Sequence, residues 1–571
     1  MIRNLPSAFR LLIFIAIATL LICSCQNRRP PWQKKETIQV PAIDTALFVE
    51  VLKEKLAQQR DGKTLDINGA KIYANRVISS LYEKNAYLPL WKNRGMYQAY
   101  LKILDSIHLD GLLSDDYAAD IIKDSFAEID TAEFLDHSKL SDLDIITTNS
   151  FLLLTLHLLE GKSQPELLDP NWNYHFTHID KHSVDSVYRT LSHGDVLKYF
   201  QQIKQRSDYY LGMQTTLKKL YQLKLQGGWG TISHGKDLKL EPGDDDPVVL
   251  DIRKRLAFPH IPSHESTVYD SLLVNQVIQF QSAHGLTADG VIGSATIEAL
   301  NIPVEDKIDK VRVNLERARW LINDLVQKRI VVNIANFSAY LIDSNQIVHT
   351  SKVMVGKPFS KTPIFESTLK YIEFNPTWTV PNSILRNEML PIIRNDSSYL
   401  SKRNMSIINS QGKSIPIETV DLSGSFPYSV RQGPGPSNAL GRVKFIFPNA
   451  FSVYLHDTPS RHLFGRSERA FSHGCIRLEN PLKWAELLIN EKEWDQSGID
   501  KVIREGKTLR VFPQKDIRVM IIYFTHLTDL DGIEYFYPDI YDRDEAVLQV
   551  LNAPIDESVL EYQSEKITSQ P

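Results

Sequence analysis

The strongest constraint on the fold is a change of hydrophobic period near residue 330. Over residues 66–226, and again over 307–329, apolar residues recur at the spacing of amphipathic helices. From Ile330 onward, apolar and polar residues alternate as in half-buried strands. The 571 residues are also too many for one core. The sequence therefore predicts helical units followed by a mostly β unit.

A second boundary divides the helical part of the chain. Residues 241–247 are acidic and rich in turn formers, and three short helical patterns follow them. Residues 280–301 resemble the small three-helix peptidoglycan-binding module. The resemblance implies this fold more strongly than it implies binding, because the glycines and the turn at Asp289 are needed for the fold itself.

A long polar insertion interrupts the strand patterns at residues 383–431. An insertion of this length inside a β domain is usually either functional or flexible. We expect a lid over the active site, with a flexible extension of the fold as the alternative. More strand patterns follow the insertion, and residues 556–571 resemble a frayed acidic tail.

The composition excludes two classes of protein. With 43% hydrophobic and 23% charged residues, the chain is typical of globular proteins. Its formal net charge of −4 does not indicate a nucleic-acid-binding protein. After the N-terminal run there is no second long apolar stretch, which excludes a polytopic membrane protein.

The N-terminus has the features of an export signal. Arg3 and Arg10 flank the start of an apolar run that is short for a membrane span. The run ends in Ile-Cys-Ser-Cys, which resembles a bacterial lipobox with Cys25 as the acylated residue. A plain signal anchor is the alternative. The resemblance implies an exported, periplasmic lipoprotein held to a membrane by its N-terminal lipid.

Cys475 is the strongest candidate nucleophile. Once the signal is removed and Cys25 is acylated, Cys475 is the one free thiol and has no cysteine for a disulfide. His473 and His456 lie close in sequence, and Gly474 permits a tight turn. A helix predicted over residues 481–490 is expected to lower the thiol pKa through its N-terminal dipole. A buried structural thiol is the alternative.

These residues form a pattern that resembles a known family. His456, fifteen residues and then Ser-His-Gly-Cys are similar to the catalytic motif of the YkuD-type L,D-transpeptidases. Further motifs resemble the large subfamily that has a scaffold domain, a peptidoglycan-binding module and a capping insertion. They lie at residues 81–91, 110–112, 356–363, 375–378, 431–441 and 454–459.

The resemblance implies a role for each motif residue. Cys475 attacks the carbonyl of the third stem-peptide residue and forms a thioester, while His456 accepts the thiol proton. His473 is then a shaping or hydrogen-bonding neighbour. The backbone N–H groups of His473, Gly474 and Cys475 are expected to stabilise the oxyanion.

Three further residues are candidates for substrate binding. Arg477 stands where smaller members often carry asparagine; it either binds a substrate carboxylate or forms a structural ion pair. Tyr454 and Trp378 are expected walls of the stem-peptide site, although aromatic residues there are nearly as often core. The resemblance also implies that carbapenem-type β-lactams acylate Cys475.

No metal or cofactor is predicted. His456, His462, His473 and Cys475 could in principle surround zinc, but a metal would quench the thiolate that the motif requires. A papain-like protease has the cysteine and histidine in the reverse order. The acceptor stays open between a stem amine, water and a protein amine, so carboxypeptidase and endopeptidase activities are alternatives. A non-catalytic peptidoglycan-binding lipoprotein is another.

The predicted fold class is multidomain α+β, with a mostly-β catalytic domain of two packed sheets. The predicted units are a signal peptide (1–24), a tether (25–65), a helical scaffold domain (66–240), a peptidoglycan-binding module (241–303), a connecting helix (304–329), a catalytic domain (330–515) with its capping insertion (383–431), and a C-terminal strand and tail (516–571).

Overall fold

The computed structural model describes residues 43–57, 65–169, 172, 174, 184–204, 207–235, 238–257, 264–321 and 328–555. The predicted signal peptide, Cys25 and the acidic tail at 556–571 lie outside these residues. Helices dominate up to residue 321, and strands dominate the region that begins at 328. This arrangement confirms the predicted multidomain α+β fold class.

The N-terminal unit is built from helices and one short hairpin. Its helices are α1 (Thr45–Ala57), α2 (Asn75–Lys84), α3 (Arg94–Ser106), α4 (Ala119–Thr131), α5 (His137–Glu160), α6 (Pro165–Leu168), α7 (Val184–His193), α8 (Val196–Ile203) and α9 (Asp208–Leu225). The hairpin pairs β1 (Leu65–Ile67) with β2 (Ala70–Ile72).

Helix α1 differs from the predicted tether over residues 25–65. Apolar residues occur every four positions at Phe48, Leu52 and Leu56, and all three are buried. The helix therefore packs an apolar face against the core. Lys55 at its end donates to the carbonyl of Ser138 at the start of α5, at 2.8 Å. The apolar repeat makes this part of the predicted tether a packed helix.

Helix α5 is the centre of the N-terminal unit. Its Asp144 is fully buried and accepts hydrogen bonds from the hydroxyl of Tyr82 and the backbone N–H groups of Leu90 and Trp91. These bonds satisfy a carboxylate whose burial would otherwise be costly. In the described part of the chain, α5 is the helix that is long and apolar enough to cross a membrane, and most of its apolar window is buried in the protein.

The next unit consists of three helices, as the sequence predicts. They are α10 (Val248–Ala257), α11 (Ser271–Ala283) and α12 (Ser294–Leu300). The side chain of Gln281 donates to the carbonyl of Val291 at 2.9 Å and accepts from the N–H of Gly290 at 2.9 Å. This buried amide therefore fixes the glycine-rich loop against α11.

The connecting helix α13 (Val304–Leu321) is more deeply buried than an amphipathic pattern predicts. Every residue from 311 to 321 is buried, including the ion pair between Glu316 and Arg319. Glu316 accepts from the N–H of Ser163 at 2.6 Å, and Arg319 donates to the carbonyl of Asp110 at 2.8 Å. The polar face of α13 thus binds the helical unit and is not left in water.

The β unit is organised around one sheet of eleven strands. The strands are β3 (Arg329–Asn333), β4 (Ser338–Asp343), β5 (Gln346–Gly356), β6 (Phe365–Thr368), β7 (Tyr371–Phe374), β12 (Val443–Ile446), β13 (Leu455–His456), β14 (Ala470–Ser472), β15 (Ile476–Leu478), β16 (Leu509–Val511) and β17 (Arg518–Ile522). Helices α16 (Pro481–Ile489) and α17 (Gln496–Glu505) follow β15.

Strand β5 explains why one sheet forms where two packed sheets are predicted. Its first part pairs with β4, while its last residues pair with β15 and β14. The two groups of strands therefore share a continuous backbone ladder through β5. A long strand with two sets of partners cannot be recognised from the alternation of its own residues.

The sheet extends beyond the predicted boundary at residue 515. Strand β17 pairs with β3 on one side and β6 on the other, so it is internal to the sheet. The hairpin β18 (His526–Thr528) and β19 (Glu534–Phe536) and helix α18 (Asp544–Asn552) come after it. The predicted C-terminal strand and tail therefore contribute a central strand and a helix.

The insertion forms a small unit with its own core. We call this unit, residues 378–432, the cap. Its strands β8 (Trp378–Thr379), β9 (Met405–Ile408), β10 (Ser414–Ile415) and β11 (Ser429–Gln432) form a separate sheet. Helices α14 (Asn382–Ile384) and α15 (Leu390–Asn395) complete it. Ten buried apolar residues, among them Met389 and Val430, form a core distinct from that of the main sheet.

Candidate active site

Cys475 lies in a tight turn between β14 and β15. Gly474 has a φ of +116°, in the left-handed region that favours glycine. The hydroxyl of Ser472 donates to the carbonyl of Cys475 at 2.5 Å and accepts from the N–H of Gly474 at 3.0 Å. The serine and the glycine of the motif therefore hold the turn that presents the thiol.

The same contacts correct one predicted role. The N–H of Gly474 was expected to help stabilise an oxyanion, but it is engaged by the Ser472 hydroxyl. The N–H groups of His473 and Cys475 remain as the other two predicted donors. Gly474 thus acts on the backbone conformation more than on the developing charge.

A second layer of hydrogen bonds supports the turn from below. The Thr362 hydroxyl donates to the carbonyl of Gly474 and accepts from the N–H of Gly356, both at 2.9 Å. The Tyr541 hydroxyl donates to the carbonyl of Gly356 at 2.6 Å. Thr362 and Tyr541 are fully buried. The C-terminal segment after β19 therefore helps to fix the nucleophile loop.

Strand register brings the candidate residues to one face of the sheet. In the parallel pair β13–β15, Leu455 lies opposite Ile476 and His456 lies opposite Arg477. Cys475 precedes Ile476, and side chains alternate along a strand, so Cys475 and Arg477 share the face that carries His456. The next strand, β12, places Lys444 opposite His456.

His456 is held as a neutral imidazole. Its Nδ1 lies 2.5 Å from the carbonyl of Asp457 and donates to it, which leaves Nε2 with a lone pair. Burial, with the nearby charges of Arg477 and Lys444, lowers the pKa of His456 to about 3. The Asp457 carboxylate is fixed by Arg442 at 2.9 Å. The ring is therefore oriented and free to accept a proton at Nε2.

The environment of Cys475 corrects the expected effect of the following helix. Strand β15 separates the thiol from α16, which begins at Pro481. Burial raises the pKa of Cys475, while hydrogen bonds from Tyr454 and the charges of Lys444 and Arg477 oppose this rise. The thiol lies 3.8 Å from the carbonyl of Ser452. The resting site therefore favours the thiol, and ionisation requires a base.

Arg477 does not form the structural ion pair that was one of its two predicted roles. Among the described residues it has no carboxylate partner, and its buried Nε has no hydrogen-bond partner. Burial also lowers the pKa of the guanidinium. Burial of its Nε without an acceptor is costly, so the binding of a substrate carboxylate is the predicted role of Arg477 that stays a prediction.

Tyr454 and Lys444 complete the inner wall of the site. The ammonium of Lys444 lies 3.9 Å from the centroid of the Tyr454 ring, a cation–π contact. The Tyr454 ring is 5.7 Å from that of His456. Burial raises the pKa of Tyr454 well above its ordinary value, so its hydroxyl stays a donor. Tyr454 thus lies next to the candidate base, and its role as a wall of the stem-peptide site stays a prediction.

Trp378 lies in a different environment from Tyr454. It is in β8, pairs with Gln432 of β11 and packs against the core of the cap. This position makes it a structural residue of the cap in the described structure. Its predicted role as a wall of the stem-peptide site stays a prediction.

The cap reaches the catalytic loop through one pair. His473 Nε2 lies 2.8 Å from the carboxylate of Glu388, which belongs to the π-helical segment Leu385–Met389. Both side chains are largely exposed, at 42% and 52%. The predicted lid thus contacts the nucleophile loop beside Cys475.

Sequence reasoning missed four residues of this site. Lys444, Thr362, Glu388 and Tyr541 are separated from Cys475 by 31 to 113 positions and carry no spacing signal. Register and long-range packing bring them to the loop. Only Thr362 stood in a motif that the sequence analysis used, in the segment 356–363.

Comparisons with known proteins show which proteins resemble parts of this chain. A protein of Haemophilus influenzae described as "Putative L,D-transpeptidase" is 32% identical over 281 residues, 48% of this chain and 56% of that protein. The match thus spans little more than half of the relative's length.

Crystal structures of L,D-transpeptidases are also similar to parts of this chain. That from Xylanimonas cellulosilytica is 14% identical and covers 51% of this chain and 100% of that one, with a TM-score of 0.18. That from Stackebrandtia nassauensis is 12% identical and covers 51% and 96%, with a TM-score of 0.20.

Three family models match separate parts of the chain. The "Scaffold domain" matches residues 76–217, and the "Putative peptidoglycan binding domain" matches residues 247–300. The YkuD "L,D-transpeptidase catalytic domain" matches residues 327–490, which include Cys475, His456 and the cap. This chain therefore carries a YkuD-type L,D-transpeptidase catalytic domain, which follows a scaffold domain and a peptidoglycan-binding domain in the sequence.

Proposed function

We propose that this chain is a peptidoglycan L,D-transpeptidase that forms 3–3 crosslinks between stem peptides through a thioester on Cys475. The observation that carries the proposal is the shared face of β13 and β15, which carries Cys475, a neutral His456 and Arg477, whose Nε has no hydrogen-bond partner among the described residues. A nucleophile, a base and an anion-binding group on one face are what acyl transfer from a peptide requires.

The first step forms the acyl-enzyme. His456 accepts the thiol proton at Nε2, and the sulfur attacks the carbonyl carbon of the third stem residue. The N–H groups of His473 and Cys475 stabilise the oxyanion. The bond to the terminal D-alanine then breaks, and His456 returns its proton to the leaving amine. The thioester remains on Cys475.

The charge of the inner wall suits the donor stem. The donor ends in a carboxylate, which Arg477 can bind in a bidentate manner, since its Nε has no hydrogen-bond partner among the described residues. Lys444 adds a second positive charge on the same face. These charges also favour the thiolate, since both lower the pKa of Cys475 against the effect of burial.

The second step transfers the acyl group to an amine of a neighbouring stem. Water as the acceptor would instead give an L,D-carboxypeptidase, or an endopeptidase with a crosslinked donor. The putative peptidoglycan-binding domain at residues 247–300 is proposed to hold the enzyme on the wall. Carbapenem-type β-lactams are proposed to acylate Cys475, because they present an activated carbonyl to the same sulfur.

The location follows from the substrate and the N-terminus. We propose a periplasmic lipoprotein whose acylated Cys25 holds it to a membrane of the cell envelope. Cys25 lies outside the described residues, so its sequence context alone supports the anchor. Metabolic labelling with a palmitate analogue tests it, with Cys25→Ala as the control that should lose the label.

The test of the activity is mass spectrometry of muropeptides after incubation of the protein with tetrapeptide-stem fragments. We expect dimers linked through two third-position residues, and none with Cys475→Ala. Tripeptide without dimer would identify a carboxypeptidase. Unchanged substrate together with binding to sacculi would leave wall binding as the function and would overturn the proposal.

A further inference from the structure

The two sides of Cys475 differ in charge. The inner side, on the sheet, presents Lys444 and Arg477, neither of which has a carboxylate partner within the described residues. The outer side, on the cap, presents the carboxylate of Glu388 next to His473. A positive group of a substrate is therefore favoured at the outer side and disfavoured at the inner one.

The cap presents Glu388 to the catalytic loop by its local structure. Leu385 and Met389 at either end of the π-helical turn are buried in the core of the cap, at 1% and 4% exposure. Glu388 therefore projects away from that core and reaches His473. Single π-helical turns are frequent at functional sites. Arg386 is two positions away and does not share the face of Glu388.

The pair is not needed to hold the cap in place. An exposed pair of polar side chains of this kind adds little to stability because water screens both groups. The cap has its own apolar core, and both of its ends continue into the β unit. The Glu388–His473 pair is thus free to exchange its partner for a bound ligand.

We propose that Glu388 and His473 form the binding site for the acceptor, a primary ammonium on a second stem peptide. The proposal rests on the proposed function, and it names the group that selects an amine over water. The Glu388 carboxylate attracts the ammonium and holds it beside the thioester. His473 donates through Nε2 to Glu388, so the Nδ1 of the neutral ring can accept a proton.

In the proposed aminolysis step, the incoming nitrogen loses two protons, and each has an acceptor. The ammonium gives one proton to Nδ1 of His473, and Glu388 neutralises the resulting imidazolium before the proton passes to solvent. The nitrogen lone pair then forms the new C–N bond to the thioester carbonyl. The C–S bond breaks, its electron pair returns to the sulfur of Cys475, and the sulfur takes the second proton lost by the nitrogen.

The test measures partitioning of the acyl-enzyme. Protein is incubated with a tetrapeptide donor and increasing concentrations of an acceptor peptide with a free amine, and the ratio of dimer to tripeptide is measured. Glu388→Gln keeps the shape and a hydrogen bond to His473 but removes the charge. We expect this variant to lower the ratio by about tenfold, as loss of a charge-assisted hydrogen bond does.

The matched control is Glu418→Gln, which removes an exposed carboxylate of the same cap. It should leave the ratio at the wild-type value. An unchanged ratio in Glu388→Gln would overturn the proposal. So would a parallel fall of dimer and tripeptide, because that pattern marks a role in acylation or in cap position. Absence of any acyl-enzyme in the wild type would instead reject the proposed function.

Discussion

The inner and outer sides of Cys475 are built by different means and have opposite properties. On the inner side, β12, β13 and β15 place Lys444, His456 and Arg477 in one cross-strand row. On the outer side, a turn of the cap brings Glu388 to His473 from 85 residues away. The inner side is fixed by backbone register, whereas the outer side is set by the position of a separate small unit.

The two histidines show what this difference means chemically. His456 is 4% exposed, and burial beside two cations keeps it neutral. His473 has a largely exposed side chain and an anionic partner. A buried neutral ring suits proton transfer with the thiol, and an exposed ring beside a carboxylate suits an incoming ammonium. In the proposed mechanism, acylation therefore belongs to the inner side and aminolysis to the outer side.

The largest expected effect separates the two histidines. His456→Gln should slow acylation by about 10²–10⁴, the usual contribution of a general base. His473→Gln should lower the ratio of dimer to tripeptide by about tenfold and slow acylation much less. Mass spectrometry of the intact protein after rapid quenching gives the acylation rate of each variant.

Equal decreases of the acylation rate in the two variants would contradict the assignment of the two histidines to different steps. Unfolding midpoints in urea should accompany these rates. His456 is buried, so a glutamine there could disturb packing, and a variant that retains the wild-type midpoint isolates the chemical effect.

A smaller effect is expected at Arg477. Arg477→Gln should raise the KM for the donor by about 10- to 100-fold, since a charge-assisted hydrogen bond contributes about 1.5–3 kcal/mol. Arg477→Lys should recover only part of this, because an ammonium cannot bind a carboxylate in a bidentate manner. Steady-state kinetics with a tetrapeptide donor and with its C-terminal amide measure the effect.

The control for this prediction is Arg510→Gln. Arg510 stands further along the same row, but it pairs with Glu373 at 2.7 Å and is exposed. We expect its KM to stay within about twofold of the wild type. If Arg477→Gln weakens the amide and the free acid equally, Arg477 does not bind the donor carboxylate.

Local features of the site could be predicted from the sequence. The turn at Gly474 and the candidate base His456 belong to short motifs whose residues are close together in the chain. The change of period near residue 330 also predicted where helices give way to strands. Such features depend on neighbouring residues, so a single sequence reveals them.

Features that depend on distant pairing could not be predicted. Lys444 joins the site because β12 pairs with β13, and Tyr541 joins it because the segment after β19 packs under Gly356. The position of β17 inside the sheet has the same origin. The direction of the thiol pKa was wrong for a related reason: burial of Cys475 is a tertiary property and outweighs a helix that the sequence places nearby.

The smallest expected effect concerns ionisation of the thiol. Burial raises the pKa of Cys475, and Lys444 opposes that rise because a positive charge favours the thiolate. Alkylation by iodoacetamide, which needs the thiolate, should therefore increase with pH, with a midpoint above about 8.5, the ordinary thiol value. Lys444→Gln should move the midpoint further upward and slow alkylation at neutral pH by less than about tenfold.

Lys370→Gln is the control, an exposed lysine of the same domain that should leave the profile unchanged. A midpoint that moves downward in Lys444→Gln would mean that the lysine acts on Cys475 mainly through packing on Tyr454 and not through its charge. Of the two cations on the inner side, Arg477 alone would then act on the thiol through its charge, and the electrostatic contrast with the cap would rest on Arg477.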